Sequence, residues 1–260
     1  MRFIAFALCL GLVVGCGDDG GDSSPQEEHD GGEHDREHDR EHDREALREV
    51  ACTDESISML MLFDEPATGR IREEGEGGGE FTSYIDATGG GLQARESYVY
   101  ARFTDDGLKK VDITDEEAFE SDAWEIAFRR YVIRLNSGVS GPGEVTAGRT
   151  APMTEFADLD EVPANIEFRT EEYFIEDGCE YVADTSGIGA PATALSSFWS
   201  YMSCVQMTNN VYVVRLADDR HVKLEVLSYY NPEVQKVCDE TGTAPTPSGA
   251  GNLRIRWSFL

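Results

Sequence analysis

Four of the five histidines in the chain fall within fourteen residues, at His29, His34, His38 and His42. The last three recur in a perfect tandem repeat of Glu-His-Asp-Arg from Glu33 to Arg44. On a helix, His34, His38 and His42 are successive i, i+4 neighbours, and their imidazoles could share a zinc, nickel or copper ion. The competing reading is a solvated spacer. Glu33 with Arg36 and Arg40 with Asp43 form i, i+3 pairs, and the tract holds no cysteine and no partner that would orient an imidazole. The spacer reading takes precedence, with divalent metal capture as the alternative.

The six cysteines divide by position. Cys9 lies inside an apolar leader, Cys16 stands at the end of that leader, and Cys52, Cys179, Cys204 and Cys238 follow. An even number in an oxidising compartment implies two disulfides. Cys52 with Cys238 would tie the start of the domain to its end, and Cys179 with Cys204 would close the remaining pair. A zinc site built from the four thiolates is the second option, but no C-x-x-C spacing supports it. Catalytic motifs are missing. Gly138-Val139-Ser140-Gly141 lacks the spacing of a nucleophile elbow, no G-x-x-x-x-G-K-[ST] or H-E-x-x-H run occurs, and His221 is the only histidine beyond the repeat. A lone carboxylate pair is the remaining acid-base option, so a non-enzymatic role is expected.

The elements that position these residues start with the leader. Arg2, the apolar stretch Phe3 to Val14 and the small residues before Cys16 resemble a bacterial lipoprotein signal, too short to span a bilayer. Cleavage before Cys16 would leave that residue to carry acyl chains. Between Asp18 and Glu49 there are 14 acids against 4 arginines, a composition that cannot form a core. The expected organisation is a signal peptide over 1–15, a lipidated, disordered, acidic tether over 16–51, and one domain over 52–260. The whole chain carries 51 acids against 22 bases, net charge -29, which excludes unaided binding to nucleic acid or to anionic lipid. The membrane is reached through the lipid anchor only.

From Cys52 onward, short runs of Val, Ile, Tyr, Phe and Thr broken by Gly, Asp and Asn predict an all-β, mostly antiparallel domain. Residues 211–216 and 221–227 read as a hairpin, with Val222, Leu224 and Val226 inward and Lys223 and Glu225 outward. Leu253, Ile255, Trp257 and Phe259 alternate with polar residues on a closing strand that pairs inside a sheet. Residues 123–135 read as one strand whose phase slips at Arg129-Arg130, a bulge. Further strands are expected at 57–63, 81–85, 98–103, 144–147, 165–168 and 173–175, with short helices at 116–119 and 194–201. Gly75 to Gly79 and Gly89 to Gly91 read as hairpin loops.

Two stretches carry a resemblance. Ala123-Trp-Glu-Ile-Ala-Phe-Arg-Arg-Tyr-Val-Ile-Arg-Leu-Asn136-Ser-Gly-Val-Ser-Gly141 resembles the signature of the HmuY family of haem-binding surface lipoproteins. Asn210-Val-Tyr-Val-Val-Arg215, then Ala217-Asp218, Val222-Lys223 and Leu227-Ser-Tyr229-Tyr230, are similar to its closing hairpin. The resemblance implies an outer-membrane lipoprotein facing outside that captures haem or a related tetrapyrrole and passes it to an outer-membrane haem receptor. In the family, two histidines or methionine side chains hold the iron. The corresponding regions here are Asp177 to Cys179 and Tyr201 to Cys204, and neither contains histidine. Met202 is the implied axial donor, with Met207 and Cys179 behind it, while Met153 reads as packing. Arg129, Arg130, Tyr131 and Arg134 could face the propionates, although strand phase favours outward salt bridges for them. Trp124 and Trp257 are assigned to the core. A family member that has lost its cofactor and acts as a surface interaction module is the alternative; it predicts a Cys179 to Cys204 bridge and no apolar cleft beside Met202.

Overall fold

The computed structural model describes residues 47–75, 78–91 and 93–260. The leader, Cys16 and the tether through residue 46, with its histidines His34, His38 and His42, lie outside the described residues. In chain order the first elements are α1 (Thr53–Met59), β1 (Ile71–Glu73), β2 (Glu80–Asp86), β3 (Val99–Thr104), β4 (Gly107–Val111), β5 (Ile126–Arg129) and β6 (Val132–Leu135). They are followed by β7 (Thr146–Arg149), β8 (Phe174–Ile175), β9 (Glu180–Tyr181), β10 (Trp199–Tyr201) and β11 (Val205–Met207). The chain closes with β12 (Val211–Arg215), β13 (His221–Ser228), α2 (Pro232–Thr241) and β14 (Asn252–Phe259).

A six-stranded sheet of order β1-β2-β14-β13-β12-β7 faces a four-stranded sheet of order β4-β3-β5-β6, and every pairing is antiparallel. The period-two pattern accounts for the main core between them. Leu253, Ile255 and Trp257 of β14 meet Val99, Phe128 and Ile133 of the smaller sheet. The closing strand sits between β13 and β2, as its alternation predicts. Trp124 and Trp257 are both buried.

The four-stranded sheet is buried on its other face as well. Tyr98, Tyr100 and Ala127 pack there against a second core with Leu60, Leu62 and Tyr173. The six-stranded sheet also carries a cover, in which Phe156 and Leu159 lie over Val211 and Val213. Lys223 and Glu225, expected outward, are therefore buried beneath that cover. Lys223 Nζ donates to Phe156 O and Leu159 O, and Glu225 pairs with Arg256 at 2.6 Å.

Several elements differ from the sequence expectation. Residues 53–59 form helix α1, because Asp54 and Glu55 favour a helix N-terminus and Cys52, Ser56 and Leu60 repeat at i, i+4 on its buried side. The expected bulge is a hairpin: β5 and β6 pair across Arg130-Tyr131, and Arg130 takes the positive φ of 53° that a tight two-residue turn needs. Residues 165–168 form no strand, since only Arg169 bridges to Ala147. Residues 194–201 divide into a 3-10 turn at Ser196–Phe198 and strand β10. Gly89 to Gly91 connect the two sheets rather than close a hairpin, and Met153 is 95% exposed. Helix α2 was not anticipated, although Pro232 at its first turn and Gly242 in the left-handed conformation at its end are ordinary helix boundaries.

The disulfides join Cys52 to Cys179 and Cys204 to Cys238, not Cys52 to Cys238 and Cys179 to Cys204. The reason is the central sheet. Cys52 and Cys179 belong to the second core, Cys204 and Cys238 to the main one, and β4-β3-β5-β6 stands between them. With all four sulfurs paired, the four-thiolate zinc site and the Cys179 donor are also excluded.

Non-reducing peptide mapping should recover Cys52 linked to Cys179 and Cys204 linked to Cys238. Replacing Cys204 and Cys238 together by Ala should lower unfolding stability by about 4 kcal/mol in a denaturant titration. A peptide joining Cys52 to Cys238 would contradict the arrangement.

Candidate functional site

The buried face of the four-stranded sheet holds charges that the sequence phase places in solvent. Arg134 is fully buried and Arg129 is 6% exposed. The phase itself was right; helix α1 and the segment around Tyr173 cover that face. Asp115, also fully buried, is the anchor. Its carboxylate accepts the N–H groups of Phe63 and Tyr98 and the Tyr100 hydroxyl, and it pairs with Arg129 at 3.3 Å. Arg129 lies over the Tyr98 ring at 4.1 Å and donates to Met61 O at 3.0 Å and to Leu60 O. A guanidinium from β5 thus satisfies carbonyls at the end of α1, where a helix leaves them without partners.

Arg134 donates through Nε to Ser140 Oγ at 2.9 Å and stacks on the other side of the network at 4.5 Å from the Tyr98 ring. Glu171 closes the region, accepting Leu135 N–H at 2.8 Å and Ala194 N–H at 3.1 Å. Burial pushes its carboxyl up to about 7, against the downward pull of those two N–H groups.

What this scaffold positions is a cleft. A cavity of about 450 Å³ has Met59, Leu60 and Met61 on one wall, Tyr181 and residues 188–191 on the other, and Arg130, Tyr131 and Val132 along its floor. A neighbouring cavity of about 360 Å³ shares Arg130, Tyr131 and Ile188 and continues to Tyr201, Tyr229 and Tyr230. The Cys52 to Cys179 bridge ties α1 to the β8-β9 hairpin, which carries the opposite wall. Tyr181 donates its hydroxyl to Gly189 O at 2.9 Å and so holds the 188–191 loop. The Tyr131 ring lies 5.0 Å from Trp199 and 6.2 Å from Tyr229.

Charge sets this cleft apart. Among the described residues lining either cavity none is acidic, whereas Arg129 and Arg130 are both present. Burial pushes the Tyr229 hydroxyl up to about 12 against the influence of Arg130, and the Tyr181 hydroxyl also to about 12, so both remain hydrogen-bond donors at neutral pH. The arrangement suits a flat, largely apolar molecule with an anionic edge.

The sequence-derived donors lie at different distances from this geometry. Met202 is 76% exposed in the turn after Tyr201, a cleft residue. Met207 pairs with Trp199 on β11 and packs against the main core. Met59 and Met61, both exposed thioethers on the cleft wall, were missed. They sit in a segment expected to be a strand, and only the fold of α1 turns them toward Tyr131.

A family model described as HmuY protein matches residues 94–241. No curated protein matches the chain. Among solved structures, it is similar to a protein of Bacteroides vulgatus described as a HmuY-like heme binding protein, at 20% identity over 69% of this chain and 91% of that one, with a TM-score of 0.45. A Bacteroides fragilis protein described as a lipoprotein matches at 17% identity over 72% of this chain and 94% of that one, TM-score 0.43. The apo form of a Tannerella forsythia HmuY analogue matches at 16% identity over 73% and 96%, TM-score 0.38.

Three substitutions test the scaffold. Arg129→Met leaves the Asp115 carboxylate buried without its cation and should cost about 3 to 5 kcal/mol in denaturant unfolding, part of which Asp115→Asn should restore in the double variant. Glu171 has a folded value above its ordinary 4.5, so its stabilising contribution is complete below pH 4.5 and is lost as pH rises through about 7. Glu171→Gln should therefore flatten the fall in unfolding midpoint between pH 5 and 7; an unchanged slope would remove Glu171 as its source.

Proposed function

Because the chain belongs to the HmuY family, we propose that it binds haem, or a related tetrapyrrole, in the cleft floored by Arg130 and Tyr131, as a non-catalytic carrier for iron acquisition. The observation that supports this most is the charge of the cleft. In a chain with 51 acids, the described lining of both cavities is free of carboxylates and holds Arg130, which has no described carboxylate within 4.0 Å, while the charge of Arg129 is matched by the buried Asp115. An anionic ligand is drawn there and repelled from most of the remaining surface.

The residues fit the group. Tyr131, Val132 and Ile188 offer apolar and aromatic faces to a macrocycle, Arg130 offers a guanidinium to its carboxylates, and Met59 and Met61 bring soft thioether donors to the rim. Met202 follows the cavity-lining Tyr201 and is exposed, which keeps it as a further candidate donor. Haem bound there would supply an iron centre that accepts a thioether and two propionates that accept cationic donors. The protein side is largely prearranged, since Arg129 holds the carbonyls of Leu60 and Met61 and the Cys52 to Cys179 bridge sets the facing wall.

The reading extends to the cell surface. Acyl chains on Cys16 would hold on the outer membrane a protein whose net charge opposes contact with anionic lipid, and the acidic tether would extend it toward an outer-membrane haem receptor. The alternative of a cofactor-free interaction module loses its support, because it predicted a Cys179 to Cys204 bridge and Cys179 is joined to Cys52.

The test is haemin titration of the full oxidised chain with His29, His34, His38 and His42 replaced by Asn, because clustered imidazoles bind haem without a pocket. A saturable one-to-one complex with a sharp Soret band is expected. Tyr131→Ala and Arg130→Gln should each weaken it about tenfold, near 1.4 kcal/mol. Met59→Ala, Met61→Ala and Met202→Ala, examined singly, should identify the donor by the shift of the Soret band. Absence of saturable binding, or binding indifferent to both Arg130 and Tyr131, would reject the assignment.

A further inference from the structure

Among the described residues, the cleft offers a haem iron thioethers but no imidazole. His221, the only histidine there, stands on β13 with its ring 5.9 Å from that of Phe168, and it lines neither cavity. Met59 and Met61 are both more than half exposed on one wall. Haem iron has two axial positions, and neutral imidazole is the commonest protein ligand for a metal. The other histidines of the chain, His29, His34, His38 and His42, all belong to the tether.

Arg48 marks where the tether leaves the domain. Its guanidinium donates to the carbonyls of Gly138 and Gly141, the latter at 2.8 Å. Gly138 lies six residues beyond Val132, which lines the cleft at the start of β6. Six residues of extended chain span about 20 Å at most, so with the reach of the Arg48 side chain the tether departs within about 30 Å of the cleft. His38 stands nine residues before Leu47 and His34 thirteen, contour lengths of about 30 and 45 Å. Chain length therefore brings both imidazoles within range of the cleft.

Charge favours the same approach. Residues 33–44 hold six acids against three arginines. Such a tract is repelled by an acidic surface, but not by a cleft whose described lining has no carboxylate and includes Arg130. Carried on the same chain, an imidazole meets a seated ligand at an effective concentration on the order of millimolar. The repeat presents equivalent imidazoles at four-residue steps, so more than one register of the tract delivers a donor.

We propose that the tether supplies an axial donor: with a tetrapyrrole in the cleft, His34 or His38 places its imidazole on the iron opposite a thioether of the domain. The proposal rests on the tetrapyrrole reading above. The imidazole lone pair displaces a water from the iron, with no change of oxidation state.

The experiment compares the one-to-one haemin complexes of the full oxidised chain and of the chain with His29, His34, His38 and His42 replaced by Asn, by absorption and electron paramagnetic resonance. All four positions lie outside the described domain, so its unfolding midpoint should not change. The histidine-free chain should still bind, about tenfold more weakly, with its ferric signal moved from low spin to high spin. Restoring His34 or His38 alone should return the low-spin signal at any protein concentration, as a donor on the same chain requires. Tyr131→Ala in the histidine-bearing chain should shift that signal to about tenfold higher haemin, in step with binding. An unchanged spin state in the histidine-free complex would overturn the proposal and leave the cleft reading intact. A low-spin signal indifferent to Tyr131→Ala would overturn it too, since imidazoles would then hold haem away from the cleft. Failure of the histidine-free chain to bind would reject the cleft reading itself, and this proposal with it.

Discussion

Everything around the cleft depends on the burial of Asp115 against Arg129. A carboxylate with no solvent exposure is costly unless each oxygen is occupied, and here the Phe63 and Tyr98 amides, the Tyr100 hydroxyl and the Arg129 guanidinium occupy them. These partners come from the segment after α1, from β3 and its approach, and from β5. One carboxylate thus joins the central sheet to the layer that covers it. The same guanidinium reaches the carbonyls of Leu60 and Met61, so the wall of the cleft is carried by the network that permits charge on the inner face of the sheet.

The two disulfides extend that logic to each side of the central sheet. Cys52 to Cys179 belongs to the second core and holds the two walls of the larger cavity. Cys204 to Cys238 fastens the β10-β11 hairpin to α2 within the main core, next to Val205, whose carbonyl accepts from Gln235. That hairpin carries Tyr201 at the neighbouring cavity. Cross-linking both rims limits how far the cleft can collapse or open, which lowers the ordering cost of a ligand that enters it.

Charge is distributed with similar economy. Apart from buried carboxylates such as Asp115 and Glu171, most of the described acids are at the surface, while the described lining of the cleft excludes them and the cations near it are fixed by aromatic rings and carbonyls. A cleft free of described carboxylates on an acidic protein would favour an anionic ligand by repulsion elsewhere as much as by attraction within.

Strands with one face on the main core were legible from residues alone. In β12, β13 and β14, period-two alternation follows directly from the geometry of a pleated strand with one apolar face. The β5-β6 region was legible in its inward phase, with Ile126, Phe128, Ile133 and Leu135, but not in its turn, because a slip of phase reads the same for a bulge and for a two-residue hairpin. Arg129 and Arg134 were misplaced because alternation identifies the two faces of a strand without saying whether a second layer covers the polar one. Pairing of the four cysteines was equally beyond reach, since sequence separation does not record which side of a sheet each sulfur lies on. By itself the sequence determined the β class, the inward face of each long strand, the family signature and the cationic residues near its turn. The tertiary structure alone decided that α1 delivers Met59 and Met61 to Tyr131 and that Asp115 makes Arg129 a buried support. Contacts among distant segments are set by packing and by satisfaction of buried polar groups, neither of which has a local pattern.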